Sequence, residues 1–167
     1  MNTLEGKAWK FGDFISTDLI APGRYFHLRS NLQELSKHVL EDANPDFPKL
    51  VKPGDIVVAG KNFGMGSSRE HAPAIMKMAG VSAVVALSFS RIFFRNAVNI
   101  GLPAITVPNI DFIGDGDILN LDLAAGTITN LSAGLSCSFS SIPSFMLNVL
   151  HDGGLIETVI KNKGFKL

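Results

Sequence analysis

Apolar residues in the first two thirds of the chain form short runs that alternate with helical patterns. The runs predict strands at residues 6–11, 55–59, 81–87 and 102–107. The last three runs lack a clean polar alternation, which is typical of strands covered on both faces of a parallel sheet. Because helical patterns separate these three runs, we predict an α/β fold with right-handed crossovers around a mostly parallel core sheet.

The pattern changes after Ile110. Alternating apolar and polar positions predict a small antiparallel β section, with strands at 119–123, 127–129 and 135–139. Two amphipathic patterns predict closing helices that bury their apolar faces, at 145–150 and 155–160. The sequence contains neither a repeat nor a low-complexity linker, so residues 1–167 are predicted to form one domain.

A glycine-rich stretch, residues 60–71, follows the second strand and precedes a helical pattern. In this order of strand, turn and helix, backbone N–H groups can converge on a bound anion. Gly64 and Gly66 permit positive φ angles and a close approach of a ligand to the main chain. The Walker and dinucleotide-binding patterns are absent from this stretch. The two serines and the arginine that follow the glycines therefore suit a small molecule with a carboxylate.

The same residues also allow a purely structural interpretation. Ser67 and Glu70 have the spacing of a capping box. Pro73 argues against that box, because the sixth residue of a helix begun at Ser67 needs its N–H group. We therefore expect a turn that carries the two serines and a regular helix that starts near Pro73. From residue types alone, a capped helix with a solvent-facing pair of Arg69 and Glu70 is an equal alternative.

Charge and composition exclude several functional classes. Fifteen basic and fifteen acidic residues cancel, so no net field attracts nucleic acid or an anionic membrane surface. No apolar run approaches the roughly 18 residues of a membrane span, and the first residues do not form a signal peptide. Cys137 is the single cysteine, which excludes an intramolecular disulfide and predicts a reducing, cytoplasmic compartment.

Three segments share their sequence, order and spacing with one known family. They read FGDFISTDLIAPGRY at 11–25, NFGMGSSREHA at 62–72 and SFSRIFFRNAVNIGLP at 88–103. In these motifs the chain resembles the aconitase-family swivel domain, in particular the separately encoded small subunits of 3-isopropylmalate dehydratase. The resemblance implies a swivelling β/β/α fold. One departure is Met65, where relatives often have a smaller residue such as cysteine.

The resemblance also implies roles for residues of the glycine-rich turn. Ser67 matches the family's catalytic serine, which acts as an alkoxide that removes a proton and later returns it. Arg69 matches the arginine that binds a substrate carboxylate. Gly66 and Ser68 are implied to supply the amide-rich turn around the substrate.

Two segments outside this turn are implied in the site. Thr17 and Asp18 match a Thr-Asp pair at the family's active-site edge, so we predict that Thr17 binds substrate and that Asp18 is catalytic. Local turn capping is the alternative explanation of both residues. The following loop corresponds to a family segment that contacts the variable substituent of the substrate, and Arg29 in it is suited to grip a second carboxylate. Residues 24–48 are predicted to be mobile when the chain has no partner.

The implied reaction is dehydration and rehydration of a small 2-hydroxy diacid, which for this family isomerises 2-isopropylmalate to 3-isopropylmalate in leucine biosynthesis. In the family, a 4Fe-4S cluster acts as the Lewis acid, and such clusters are held by several cysteines. Because Cys137 cannot hold a cluster alone, we expect no cofactor or metal on this chain and a large-subunit partner that carries the cluster. Self-association of the small subunits is left open.

Two alternatives to this function are kept. Within the same reaction class, Arg29 is compatible with the small subunit of a homoaconitase-like enzyme or of a dimethylmalate or methylmalate dehydratase. In a different class, the turn could belong to a non-catalytic module that binds anions or another protein and has kept the turn for its fold. Replacement of Ser67 distinguishes a catalytic from a non-catalytic function.

Overall fold

The computed structural model describes residues 3–164 of the chain. The strands are β1 (Thr3–Lys10), β2 (Ile56–Ala59), β3 (Ala83–Ala86), β4 (Ala104–Thr106), β5 (Ile118–Asp122), β6 (Thr127–Asn130) and β7 (Leu135–Ser138). The α-helices are α1 (Thr17–Ile20), α2 (Leu32–Ser36), α3 (Phe47–Leu50), α4 (His71–Met78), α5 (Arg91–Asn99), α6 (Ser144–Asp152) and α7 (Leu155–Lys161). A 3₁₀ helix occupies Gly23–Leu28. The outermost residues of the predicted domain, 1–2 and 165–167, lie outside this description.

The strands form one seven-stranded sheet in the order β4-β3-β2-β1-β5-β6-β7. Strands β1 to β4 pair in parallel, whereas β5, β6 and β7 continue the sheet from β1 in antiparallel pairs. The register places Ala8 opposite Ile56 and Gly6 opposite Leu119, so β1 joins the two halves. This topology confirms the predicted α/β fold, with a parallel core and a separate antiparallel section.

Successive residues of the parallel strands enter two apolar clusters on opposite faces of the sheet. Trp9 and Val57 pack on the face that is covered by α2, α4 and α5. Ala8 and Ile56 pack on the other face, in a cluster that includes buried leucines of β5. Because both faces are covered, β2 and β3 are buried along their whole length, and their sequences are therefore continuous apolar runs.

Helix boundaries agree with the sequence where a capping side chain marks them. The Asn31 side chain accepts from the Glu34 N–H at 3.3 Å, and Ser90 Oγ accepts from the Phe93 N–H at 3.3 Å, so both residues have the side-chain type and position of an N-cap. Helix α4 begins at His71, two residues before the predicted start. Its cap residue makes no side-chain capping bond, and the capping-box interpretation of the serines is therefore wrong.

The closing helices are less buried than predicted. In α7, Ile156 is 69% exposed and Ile160 is 72% exposed, so the predicted burial of that face is wrong. Ile92 at the start of α5 is also exposed, although it is a large apolar residue within a helix that packs on the core. An amphipathic pattern shows that a helix has an apolar face but not that another element covers it. No helix within residues 3–164 has both the length and the apolar content to cross a membrane.

Candidate active site

The loops that follow β1, β2 and β3 meet at one edge of the sheet, because these strands are parallel and their carboxyl ends coincide. The loops are residues 11–16, 60–70 and 87–90. We call residues 60–70 the serine turn. The Gly64 N–H donates to the Ile15 carbonyl at 2.7 Å, so the pairing of the first two strands continues into their loops.

The serine turn is bound equally firmly to the loop after β3. The Phe63 N–H donates to the Ser88 carbonyl at 2.9 Å, and the Ser90 N–H donates back to the Phe63 carbonyl at 2.9 Å. In addition, the Ser90 hydroxyl donates to the Gly64 carbonyl at 2.7 Å. Main-chain hydrogen bonds on both sides thus fix the path of the turn.

Two positions of the serine turn require glycine for different reasons. Gly64 has φ +77°, and a Cβ there would lie 2.3 Å from Cγ of the buried Phe93, so no side chain fits. Gly66 has φ +105°, and a Cβ there would lie 3.2 Å from Oγ1 of Thr17. The first glycine therefore lets the turn pack on the core, and the second lets it approach α1.

Ser67 is exposed at the tip of the turn and lies beside the first residue of α1. The buried Thr17 donates its hydroxyl to the Ser67 carbonyl at 3.1 Å, and its oxygen is 3.4 Å from Ser67 Oγ. The Arg69 N–H donates to the same carbonyl at 2.8 Å. The Ser67 hydroxyl is therefore held at the surface by a fixed backbone and faces a second hydroxyl.

The Arg69 side chain runs back from the serine turn to both ends of α1. One terminal nitrogen donates to the Ala21 carbonyl at 2.7 Å, and the other lies 2.5 Å from a carboxylate oxygen of Asp18. The Arg69 side chain is 19% exposed, whereas that of Asp18 is 65% exposed. A guanidinium has five N–H donors, so Arg69 can keep both contacts while it binds a carboxylate.

A second group of cationic and aromatic side chains comes from residues 23–43, which we call the arginine segment. Arg29 lies with Cζ 4.5 Å from the centre of the Phe26 ring, and Arg69 lies 6.0 Å from the same ring. The His71 ring is 6.3 Å from it. Burial lowers the pKa of His71 below its ordinary value, and the nearby charges of Arg69 and Arg29 lower it further. The two arginines that were predicted to bind carboxylates therefore both lie close to the Phe26 ring.

Ion pairs between charged side chains join the beginning of the arginine segment to its end. Arg24 pairs with Glu41 and, at 2.8 Å, with Asp42. His38 Nδ1 is 2.8 Å from Glu41, and the His38 ring stacks on Tyr25 with centroids 3.7 Å apart. The hydrogen bond from Arg24 holds the pKa of Asp42 below its usual value. Burial raises the pKa of Glu41, but hydrogen bonds from His38, Tyr25 and Arg24 outweigh it, so the net shift is downward.

Most residues predicted for the site lie together. The group around the serine turn comprises Thr17, Asp18, Gly66, Ser67 and Arg69. Ser68 is exposed next to Ser67, and Arg29 approaches through Phe26. Local sequence indicated neither the Ala21 carbonyl as an anchor of Arg69 nor the position of His71 close to Phe26. Both contacts join residues more than 40 positions apart, so no local pattern signals them.

The residues present do not fit an iron–sulfur cluster. Within residues 3–164, no three His, Cys, Asp or Glu side chains are grouped so that they could hold a metal ion. Cys137, the one cysteine of the sequence, lies on β7 at the edge of the antiparallel section. The serine turn instead lies at the carboxyl end of the parallel section.

Comparison with known proteins identifies the family. The aconitase C-terminal domain matches residues 23–110, a range that contains the serine turn and the arginine segment. A 3-isopropylmalate dehydratase small subunit 2 from Archaeoglobus fulgidus is 58% identical over 162 residues, which cover 97% of this chain and 98% of that protein. The chain belongs to the family of 3-isopropylmalate dehydratase small subunits. The chain is also similar to a methanogen homoaconitase small subunit from Methanothermobacter thermautotrophicus, which is 50% identical over 158 residues that cover 95% of this chain and 91% of that protein.

A solved structure of the same small-subunit family confirms the fold. The crystal structure of a 3-isopropylmalate dehydratase from Methanocaldococcus jannaschii matches with a TM-score of 0.90 at 42% identity. The match covers 96% of this chain and 95% of that chain. Because the match includes the parallel and the antiparallel section of the sheet, the swivelling fold predicted from the resemblance is confirmed.

Proposed function

We propose that the chain is the small subunit of a hydro-lyase that isomerises 2-isopropylmalate to 3-isopropylmalate in leucine biosynthesis. The observation that carries this proposal is the exposed Ser67 on a turn whose Arg69 is fixed by Asp18 and Ala21. A base and a carboxylate-binding cation are the two groups that proton abstraction next to a carboxylate requires. The relative from Archaeoglobus fulgidus supports the choice of reaction by its name.

Ser67 Oγ, as an alkoxide, removes the proton from a carbon of the substrate, and the hydroxyl group leaves from the neighbouring carbon. The product of this half is an alkene. Ser67 then returns the proton to the carbon that lost the hydroxyl group, and hydroxide adds to the carbon that lost the proton. One H and one OH leave and return, so the isomer has the same composition as the substrate. Serine is a poor base near neutral pH unless its anion is stabilised. The cation of Arg69 supplies that stabilisation, and the Thr17 hydroxyl, 3.4 Å from Ser67 Oγ, can rotate its hydrogen from the Ser67 carbonyl to the alkoxide.

Arg69 binds a substrate carboxylate, and Asp18 positions it for that purpose. The carboxylate of Asp18 holds one end of the guanidinium, and the Ala21 carbonyl holds the other. We therefore assign Asp18 a positioning role through Arg69. Thr17, Gly66 and Ser68 complete the turn that receives the substrate.

A large subunit carries the 4Fe-4S cluster that supplies the Lewis acid of this reaction class. Cys137 is the single cysteine of the chain and lies on β7, and one thiolate is not enough to hold such a cluster. Ser67 and Ser68 are exposed, so the small-molecule diacid binds between this chain and the partner. The balanced charge argues against nucleic acid and membranes as partners, and the single cysteine favours the cytoplasm.

Turnover with a cluster-loaded large subunit under anaerobic conditions tests the proposal. Ser67→Ala is expected to lower kcat by about 10²- to 10⁴-fold, the usual contribution of a positioned acid or base. Assembly with the large subunit is expected to be unchanged in size-exclusion chromatography. Ser136→Ala, at an exposed serine of β7, is the matched control and is expected to retain wild-type turnover.

Two results would contradict the proposal. If Ser67→Ala turned over isopropylmalate at the wild-type rate, Ser67 would not be the base. If the wild-type complex were stable but converted none of isopropylmalate, homoaconitate, dimethylmalate or citramalate, the chain would be a non-catalytic binding module.

A second substrate is favoured by Arg29, which stacks on the same ring as Arg69. Two cations at one ring suit a substrate with an extra carboxylate, as in the homoaconitase reaction. Dimethylmalate and methylmalate have two carboxylates, as isopropylmalate has, and differ from it in the alkyl substituents. Arg29→Ala separates these cases through kcat/KM for isopropylmalate and for homoaconitate. If Arg29 selects an extra carboxylate, kcat/KM of the variant for homoaconitate falls about tenfold or more, as expected for the loss of a charge-assisted hydrogen bond. Its kcat/KM for isopropylmalate then changes little. Equal losses on both substrates would exclude Arg29 from substrate selection.

A further inference from the structure

Phe14 stands out on the sheet edge that carries the serine turn. It has φ +58°, although it is not glycine, and its side chain is 57% exposed. A bulky residue in the left-handed region is unfavourable and persists only where the surrounding structure imposes it. Such conformations are concentrated at sites that bind or switch. An exposed phenylalanine ring also contributes little burial energy to folding. Neither the local backbone preference nor core packing therefore explains why a phenylalanine stands at this position.

Backbone contacts fix the conformation of Phe14. Its N–H donates to the Lys61 carbonyl at 2.8 Å. The Asp13 side chain accepts from the Lys61 N–H at 2.7 Å, and the Gly60 N–H donates to the Gly12 carbonyl at 3.1 Å. Three hydrogen bonds therefore tie the loop after β1 to the start of the serine turn. The ring is presented outward by a rigid turn, as in a preorganised binding residue.

Phe14 and Ser67 belong to the same continuous surface. Two residues after Phe14, Ser16 forms a parallel bridge with Met65. One residue further, Thr17 contacts Ser67. Any protein that covers the exposed Ser67 and brings a metal cluster to it must therefore also pass over this edge.

We infer that Phe14 is a docking anchor for the cluster-bearing large subunit. This inference rests on the proposed function, which requires such a partner at Ser67. A second copy of this chain does not fit the same place, because it would cover the serine turn without bringing a cluster. A central aromatic side chain that becomes fully buried on association is a common source of binding energy at interfaces.

The test uses the full-length chain with Phe14→Asn and Phe14→Gly, because both residues tolerate a positive φ. Each variant is expected to bind the cluster-loaded large subunit about 10- to 100-fold more weakly in anaerobic calorimetry, the range of an interface hot spot. The thermal unfolding temperature of the isolated chain is expected to stay constant or rise, because the strain of Phe14 is removed. At saturating large subunit, kcat is expected to return to the wild-type value, since Phe14 does not act on the substrate.

Leu135→Asn is the matched control, because Leu135 is 52% exposed on β7, away from the serine turn. It is expected to bind the large subunit like wild type. The inference fails if wild type binds and both Phe14 variants bind equally well. It also fails if both variants unfold at a lower temperature, because the ring would then stabilise its own chain, or if they lose only self-association of this chain. If wild type itself does not bind the large subunit, the proposed function fails as well.

Discussion

The serine turn and the arginine segment meet at the same site but are held by different forces. The serine turn is bound through main-chain hydrogen bonds on both sides and packs Gly64 against the buried Phe93. The arginine segment is closed by ion pairs of Arg24, whose side chain is 51% exposed. Main-chain bonds depend little on which side chains are present, whereas each ion pair depends on two particular residues.

This difference suggests a division of tasks within the site. Exposed ion pairs contribute little free energy and weaken with salt. Within the arginine segment, the 3₁₀ helix Gly23–Leu28 buries no residue, so it can change its side chains and its position without disturbing the sheet. The later part of the segment is held on the core by the buried Leu35, Val39 and Leu40. The serine turn cannot change in this way, because the same residues fix its backbone and pack on the core. We therefore expect the chemistry to depend on the rigid turn and the choice of substrate on the adjustable segment.

The largest expected effect is on the rigid side of this comparison. Gly64→Ala places a Cβ 2.3 Å from Phe93 Cγ and imposes φ +77° on a non-glycine residue. Backbone strain of about 1–2 kcal/mol then adds to an overpacking cost of about 1–3 kcal/mol. We expect the free energy of unfolding to fall by about 3 kcal/mol or the chain not to fold, as measured by denaturant titration.

Gly134→Ala is the matched control for this change. Gly134 also has a positive φ, +70°, but a Cβ there would meet no atom within 4 Å. Only the strain of about 1–2 kcal/mol is then expected. Equal losses at Gly64 and Gly134 would show that the contact with Phe93 is not what makes the turn rigid.

The rigid turn was also the more predictable part of the site. Strands β2 and β3 are continuous apolar runs bounded by glycine and polar residues, so their positions and the turn between them follow from local sequence. The glycines at 64 and 66 signal a tight backbone, and the structure assigns positive φ to both. Local pattern therefore sufficed where the main chain determines the structure.

The contacts of the side chains were not predictable in the same way. Arg69 reaches the Ala21 carbonyl, 48 residues earlier in the chain, through the parallel pairing of two loops. No local pattern encodes such a contact. The exposed Ile156 and Ile160 show the opposite error, in which a regular apolar pattern predicted burial that the fold does not provide.

A smaller effect is expected on the adjustable side. Arg24→Gln removes the cation that pairs with Glu41 and Asp42. Exposed pairs contribute about 0–1 kcal/mol each, so amide exchange across the 3₁₀ helix Gly23–Leu28, which buries no residue, is expected to become about two- to fivefold faster. Exchange across the serine turn is expected to stay unchanged. Hydrogen-exchange mass spectrometry of the isolated chain measures both regions at once, and it also tests the predicted mobility of residues 24–48.

Lys37→Gln serves as the control, because Lys37 forms a comparable exposed pair with Glu34 within one helical turn. It is expected to leave the exchange of the remaining segment unchanged. At high salt the Arg24→Gln chain and wild type are expected to converge. Faster exchange in the serine turn as well would show that the two regions are one cooperative unit.

The smallest effect is expected where the two regions meet, at His71. Burial, with Arg69 and Arg29, lowers the pKa of His71, so the unfolded chain binds this proton more readily than the folded chain. The neutral ring of His71 therefore contributes its full share to the free energy of unfolding above the pKa of the unfolded chain, about 6.5. This contribution is lost as the pH falls through the lower pKa of His71 in the folded chain. His71→Gln is expected to flatten the pH dependence of the free energy of unfolding in that window. The ion pairs of Glu41 and Asp42 fail only at lower pH, because the pKa values of these carboxylates are also lowered. Parallel curves for His71→Gln and wild type between pH 5 and 8 would show that neither burial nor the two arginines lowers the pKa of His71 in the folded chain.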